Sequence, residues 1–312
     1  MKNNYKVAII GAGICGLYLA WKLSGKGNQV TVFEKKEGIG NKVCSGLFSQ
    51  RILEFLPQSR KLIQNEIKFA FLHFPKKTIK LRFTKSFFVM SHLELDRLVA
   101  GLAQKSGAKI IFNNNISSIP KGFDRIIGCD GANSFVRRNL KLPEPQFRLG
   151  IQTFQKKEDS SDFVETWPCE KGFMWRIPRG KEIEYGIIAK PENAKKFLSD
   201  FLKKKNINLK NFQSKIIPQG FIIPLNNSVT LCGDAAGLTK PWSGGGVIWG
   251  LKAAEIFLKT FPDFLVYRKK MRRFFIPKIF MSKTATKLAY FFGFNLPWLL
   301  PKNVTIESDF LM

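Results

Sequence analysis

VAIIGAGICG, residues 7–16, ends an apolar run in a glycine-rich turn, and this passage decides the fold. Val7 to Ile10 are apolar and mostly β-branched, as in a parallel strand covered on both faces. Gly11, Gly13 and Gly16 follow at the spacing G-x-G-x-x-G and open an apolar helical segment, Leu17 to Leu23. In such a strand–turn–helix unit the first glycine permits the tight turn and the second leaves room for a pyrophosphate. The third lets helix and strand pack closely, with the anion at the helix N-terminus. A second strand, Gln29 to Phe33, runs into Glu34, eighteen residues past Gly16, where a carboxylate accepts hydrogen bonds from an adenosine ribose. An acid there disfavours a ribose 2′-phosphate, so FAD or NAD suits the site better than NADP.

The 312 residues suffice for one large or two moderate domains with a sizeable core. Lys and Arg number 51 against 23 Asp and Glu, a formal charge of +28 that favours anionic surfaces such as acidic lipid or an acidic redox partner. The basic residues are scattered and no nucleic-acid-binding motif accompanies them, so nucleic acid is disfavoured. Five cysteines, at 15, 44, 129, 169 and 232, form no C-x-x-C pair and suit a reducing cytoplasm. MKNNYK is polar and the run behind it reads as a strand, so no signal peptide is expected. The longest uncharged apolar stretch, Leu288 to Pro301, is too short for a bilayer span. The expected location is cytoplasmic, with peripheral contact at the membrane inner face.

Beyond Glu34, KKEGIGNKVCSG reads as a loop, residues 50–56 as a short helix stopped by Pro57, and FAFLHF, IKLRF and FFVM between Phe69 and Met90 as three strands of a separate sheet. A helix over His92 to Gln104 follows from apolar residues at 93, 95, 98, 99 and 102. Lys109–Phe112 and Arg125–Cys129 are further core strands; the second enters a turn at Asp130 and Gly131, and Ser134 caps the next helix. Strands are expected at 147–155, 163–167, 173–177 and 183–189, and a solvated helix at 193–204. The strand SVTLC (228–232) then leads through GDAAGLTKPWSGGG to a helix over Val247 to Leu258. Asp234 falls at the C-terminal end of that strand, where α/β sheets present groups to ligands. The remaining residues read as helical or irregular, basic and aromatic.

Three motifs, GAGICG with Glu34, the Asp130–Gly131 turn and GDAAG at 233–237, stand in the order found in p-hydroxybenzoate hydroxylase-like flavoproteins with a glutathione-reductase-type FAD domain. Within that superfamily the chain most resembles the geranylgeranyl reductase family, which saturates carbon–carbon double bonds of isoprenoid chains. KVCSG (42–46) resembles that family's K-x-C-G/S-G loop, FMWRIP (173–178) its Y-x-W-x-F-P strand, and PWSGGGV (241–247) its P-L-T-G-G-G-I turn. His92 stands where the family has the arginine of R-x-x-x-D, with Asp96 in place. The resemblance runs from about residue 5 to 260, and the family's longer C-terminal helical region is represented only by a short tail.

The resemblance implies an α/β fold in which a Rossmann-like FAD-binding domain (1–68, 92–145, 218–262) carries an inserted, mostly antiparallel substrate sheet (69–91, 146–217) and a short helical, basic and aromatic tail (263–312). It implies FAD held by Gly11, Gly13, Cys15, Gly16, Glu34, Lys35, Cys44, Ser45, Gly46, His92, Ile116, Asp234, Gly244, Gly245, Gly246 and Val247. The glycine triplet would present N–H groups to the flavin edge. Phe173 and Trp175, two apart on a strand, would line the alkene cavity. Cys44 would supply the proton from a thiol near its ordinary pKa of ~8.5. The implied reaction is FAD-dependent reduction of an isoprenoid or polyunsaturated lipid, with NAD(P)H or a ferredoxin as external electron donor. FMWRIP is also close to the W-x-W-x-I-P of halogenases, so an FAD-dependent monooxygenase or halogenase is the alternative, and a membrane-associated binding protein with a vestigial flavin fold is the alternative outside enzymes. No metal is expected.

Overall fold

The computed structural model describes residues 4–40, 43–170 and 172–307. In chain order the elements are β1 (Lys6–Ile10), α1 (Ile14–Ser24), β2 (Gln29–Phe33), β3 (Leu47–Ser49), α2 (Ile52–Phe55), β4 (Ile63–Phe74), β5 (Lys77–Met90), α3 (His92–Lys105), β6 (Lys109–Ile111), β7 (Arg125–Gly128) and α4 (Phe135–Asn139). They continue as β8 (Gln146–Gln155), β9 (Phe163–Cys169), β10 (Gly172–Pro178), β11 (Ile183–Ala189), α5 (Pro191–Lys204), β12 (Gln213–Gln219), β13 (Val229–Leu231), α6 (Val247–Leu258), α7 (Phe264–Asn295) and β14 (Asn303–Ile306).

Two sheets carry the molecule. The first is five-stranded and parallel, in the order β13-β7-β1-β2-β6, with Val7, Ala8 and Ile9 of its central strand fully buried. Covering both faces of a strand requires an unbroken apolar run, which is what residues 7–10 supply. At the exit of β1, Gly11 has φ +103°, and a Cβ there would stand 2.5 Å from the Cys129 carbonyl oxygen. At Gly16 a Cβ would meet the Gly11 carbonyl oxygen at 2.1 Å, so this glycine serves the close packing of α1 on the turn.

The second sheet has nine strands, in the order β12-β8-β11-β10-β9-β4-β5-β14, with β3 beside β5. It is antiparallel except at β4–β9 and β5–β14. Several sequence expectations need correction here. The apolar stretches IKLRF and FFVM are one strand, β5, whose exposed polar interruption at Thr84 and Lys85 stays in the strand. Its partner β4 begins at Ile63, earlier than Phe69, and two register irregularities lie between Ile63 and Phe69. β12 and β14 are strands that the sequence reading left out, and Pro57 opens a 3₁₀ turn as it ends α2.

α7 runs for 32 residues through Pro277. Its first half buries Phe264, Tyr267, Met271 and Phe275 in the core of the first sheet. Each such side chain contributes ~1.5–3 kcal/mol, which together outweigh the ~3 kcal/mol an interior proline costs. Its second half crosses to the second sheet, where Tyr290 and Phe294 pack edge-on against Phe74 and Tyr290 Oη donates to the Gly172 carbonyl (2.6 Å). Among the described residues no helix is long and apolar enough to cross a membrane.

Candidate active site

A cavity of about 360 Å³ opens along the C-terminal ends of β1, β2 and β13. Its lining includes Gly11, Gly13, Cys15, Glu34, Lys35, Cys44, Ser45, His92, Ile116, Asp234 and Gly244 to Val247. Gly16 and Gly46 do not line it: Gly16 packs α1 onto the turn, and Gly46 shapes the loop behind Cys44. Lys42 lies outside the described residues. Phe173 lines instead a second, apolar cavity of about 470 Å³, floored by Leu72, Phe83, Phe87 and Ile177 and walled by Ala285, Ala289 and Tyr290 of α7. The two cavities share Cys44, Ser45, Trp175, Ser243 and Gly245 to Val247.

The first cavity fits FAD. Glu34, at the end of β2, accepts from the Ala12 N–H (2.7 Å) and the Lys36 N–H (3.1 Å), which holds its carboxylate against the glycine turn. At Gly246 a Cβ would stand 2.7 Å from Asp234 Oδ1, so the carboxylate and the start of α6 are in close apposition. Gly244 has φ +70°, and a Cβ there would meet Ile188 Cδ1 at 2.4 Å. Side chains at positions 244 and 246 would thus collide with Ile188 and Asp234.

Two side chains that line the first cavity, Lys215 and His92, make contacts beyond those the sequence leads one to expect. Lys215, on β12, reaches across to Asp234 Oδ2 (2.9 Å), and this partner, against the opposing effect of burial, raises its pKa. His92 and Asp96, four apart on α3 and both buried, stand with Nε2 and Oδ1 3.4 Å apart, and His92 also faces Cys44. Burial opposes ionisation of the Cys44 thiol, but His92, the Gly46 N–H and Lys215 outweigh it and hold the thiol below its ordinary value. Burial likewise opposes charge on His92, and Cys44 and Asp96 outweigh it and raise the imidazole well above the usual range. Beside His92 the Cys44 thiol ionises more readily than the ordinary thiol expected from the sequence. The Gly46 N–H donates to Cys44 Sγ at 3.5 Å.

Trp175 is fixed on two sides. Its indole Nε1 donates to Glu184 Oε1 (2.9 Å), and its ring lies on Gly186, where a Cβ would come within 2.2 Å of Cζ2. Phe173 sits 6.0 Å from it, centroid to centroid, so the pair forms one aromatic surface. Burial pushes the Glu184 carboxyl up to about 7 against the pull of Arg179 and Trp175.

A Rossmann-like turn on a parallel sheet, a carboxylate at the second strand and an aspartate at the last define an FAD-dependent oxidoreductase. Within that class the chain is similar to proteins named as geranylgeranyl lipid reductases. The family model described as an NAD(P)-binding Rossmann-like domain matches residues 9–55. A digeranylgeranylglycerophospholipid reductase of Methanococcus vannielii is 26% identical over 308 residues, spanning 83% of this chain and 78% of that protein. In fold, the chain is similar to a geranylgeranyl bacteriochlorophyll reductase-like protein of Thermoplasma acidophilum (TM-score 0.78, 20% identity, 92% of this chain and 87% of that one). It is also similar to a tryptophan 6-halogenase of Streptomyces toxytricini (TM-score 0.75, 14% identity, 92% and 78%).

Proposed function

We propose that this oxidoreductase saturates carbon–carbon double bonds of an isoprenoid lipid of the geranylgeranyl type. One observation carries the reading: the FAD-type cavity meets an apolar cavity at Cys44, Trp175 and Gly245 to Val247. Bound FAD, once reduced by an external donor, supplies the hydride. The chain supplies the rest. Phe173 and Trp175 stack the alkene, the aliphatic and aromatic side chains of β4, β5 and α7 exclude water, and His92 with Cys44 Sγ holds the proton that the second carbon requires. The name of the Methanococcus vannielii relative, a digeranylgeranylglycerophospholipid reductase, supports the same substrate class.

The outward side of α7 and its extension expose Phe280, Phe291 and Trp298 among lysines and arginines, which supports peripheral contact with an anionic membrane surface from which a lipid substrate is drawn. Anaerobic incubation of reduced protein with candidate isoprenoids, followed by mass measurement, tests the activity: products should gain one hydrogen pair per double bond reduced. Hydroxylated or halogenated products formed under air with halide, and no reduced ones, would assign the chain to the monooxygenase or halogenase alternative instead.

A further inference from the structure

We infer that Arg179 and Glu184 form a clamp that sets the position of the Cys44–Gly46 loop relative to the Trp175 ring, making both of them positioning residues for the reaction proposed above. Neither residue lines either cavity. Arg179, at the end of β10, is buried and donates through Nη1 to the Ser45 carbonyl (2.6 Å) and to Glu184 Oε2 (2.8 Å). Through Nη2 it donates to Gln64 Oε1 (3.0 Å) and to the Met90 carbonyl (3.2 Å). Glu184 is fully buried on β11 and spends its other oxygen on the Trp175 indole. One guanidinium and one carboxylate thus join the loop behind Cys44, the strand that ends before His92, and the ring at the cavity junction.

The loop has little freedom to sit elsewhere. Gly46 has φ +63°, and a Cβ there would stand 2.1 Å from the Met90 carbonyl oxygen and 3.1 Å and 3.2 Å from the two terminal nitrogens of Arg179. The two terminal nitrogens of Arg179 therefore border the space that a side chain at position 46 would need. Met90 N–H donates back to the Gly46 carbonyl at 2.9 Å, closing the arrangement. A buried ion pair is a poor way to gain stability compared with apolar side chains of equal volume. What a guanidinium offers that they do not is a planar fork with fixed donor directions, which lysine lacks. The nearby Arg176, by contrast, pairs with Asp159 and Glu165 and does not serve this junction.

The inference rests on the reductase reading only for its catalytic consequence, so the test has two readouts on the FAD-loaded protein. The first is the rate at which iodoacetamide alkylates Cys44, followed by peptide mass mapping. The second is the division of any loss between kcat and KM. Arg179→Lys keeps the charge and loses the fork; it should change the alkylation rate and lower kcat by at least ~10-fold each, with FAD content and KM little changed, since a displacement of about 1 Å costs ~10²-fold. Glu184→Gln in the Arg179→Lys background should add little, because both act through one network. Gln64→Ala, at an exposed position, removes a single acceptor without threatening the fold and should shift alkylation of Cys44 a few-fold in the same direction. Alkylation rates and kcat within twofold of wild type in all folded variants would overturn the clamp. If the wild type reduces no isoprenoid, the reductase reading fails, while the alkylation series still decides the clamp.

Discussion

Lys215 Nζ stands 2.9 Å from Asp234 Oδ2, so the edge strand of the nine-stranded sheet places a cation in the turn that follows β13. Cation and carboxylate both line the FAD-type cavity. Lys215→Met removes the charge that offsets Asp234 and that would favour a reduced, anionic flavin. FAD should bind more weakly and its reduction potential should fall, by about 30 mV for each tenfold loss in relative affinity for the reduced form. Lys215→Arg should restore most of both. Equilibrium reduction against a reference dye and FAD titration give the two values; a variant with unchanged potential and affinity would remove Lys215 from the site.

Cys44 and His92 predict a pH profile with a definite sign. A thiol lowered on folding adds stability above its unfolded value of ~8.5 and loses it as pH falls through the folded value. An imidazole raised on folding adds stability fully below ~6.5 and loses it as pH rises through the folded value. The charged pair therefore exists between the lowered thiol value and the raised imidazole value. Cys44 should be alkylated by iodoacetamide with an apparent pKa below ~8.5, and His92→Ala should move that midpoint above it, because burial then acts without its counterweight. A midpoint that stays put in His92→Ala would show that the two groups are not coupled.

Cys44→Ala should retain FAD and its reduction by an artificial donor yet lose product formation by at least ~10-fold, the low side of ordinary acid–base contributions of ~10²-fold. The measurement is single-turnover product mass from pre-reduced protein. Undiminished product would make Cys44 a packing residue and leave His92 as the group that holds the proton.

Glu34→Arg should give colourless protein. It removes the acceptor of the Ala12 N–H, at a cost of ~1–3 kcal/mol for an orphaned donor, and puts a cation in place of the ribose acceptor. Glu34→Gln, which keeps one acceptor oxygen, should bind FAD with intermediate affinity. Full yellow colour in the arginine variant would contradict the assignment.

Replacing Phe280, Phe291 and Trp298 together by serine should abolish salt-sensitive co-sedimentation with anionic vesicles and leave FAD content unchanged. Their exposures of 71%, 54% and 69% place the changes outside either core. Deleting residues 288–312 would be a poorer test, because Ala289 and Tyr290 wall the apolar cavity. Binding that persists in the triple variant would show that the membrane contact lies elsewhere or does not exist.

Much of the nucleotide half was legible because its signals are local. The apolar run at 7–10, the glycine spacing, the Ser134 cap, whose side chain accepts from the Arg137 N–H at 3.0 Å, and the helix from Val247 to Leu258 each need only neighbours in sequence. β12 escaped notice because QSKIIPQ mixes polar residues with a proline, as edge strands do and central strands do not. Lys215 was invisible for the same reason, since a lysine on an edge strand ordinarily only guards it from pairing. The Cys44–His92 pair depends on where the 43–46 loop folds over the start of α3, and nothing in either segment encodes the other.

α7 ties these halves together mechanically. Its first turns are rooted in the core beneath the nucleotide cavity and its later turns roof the apolar one, with Pro277 between. Tyr290 and Phe294 fasten the far end as well, so the helix is braced on both sheets, and Pro277, which gives no N–H to the hydrogen-bond ladder, marks the place where its two halves can differ in direction. One helix thus makes the wall of the apolar cavity depend on the packing of the core around the first sheet, so a core substitution at Tyr267 or Met271 would be felt in the second chamber.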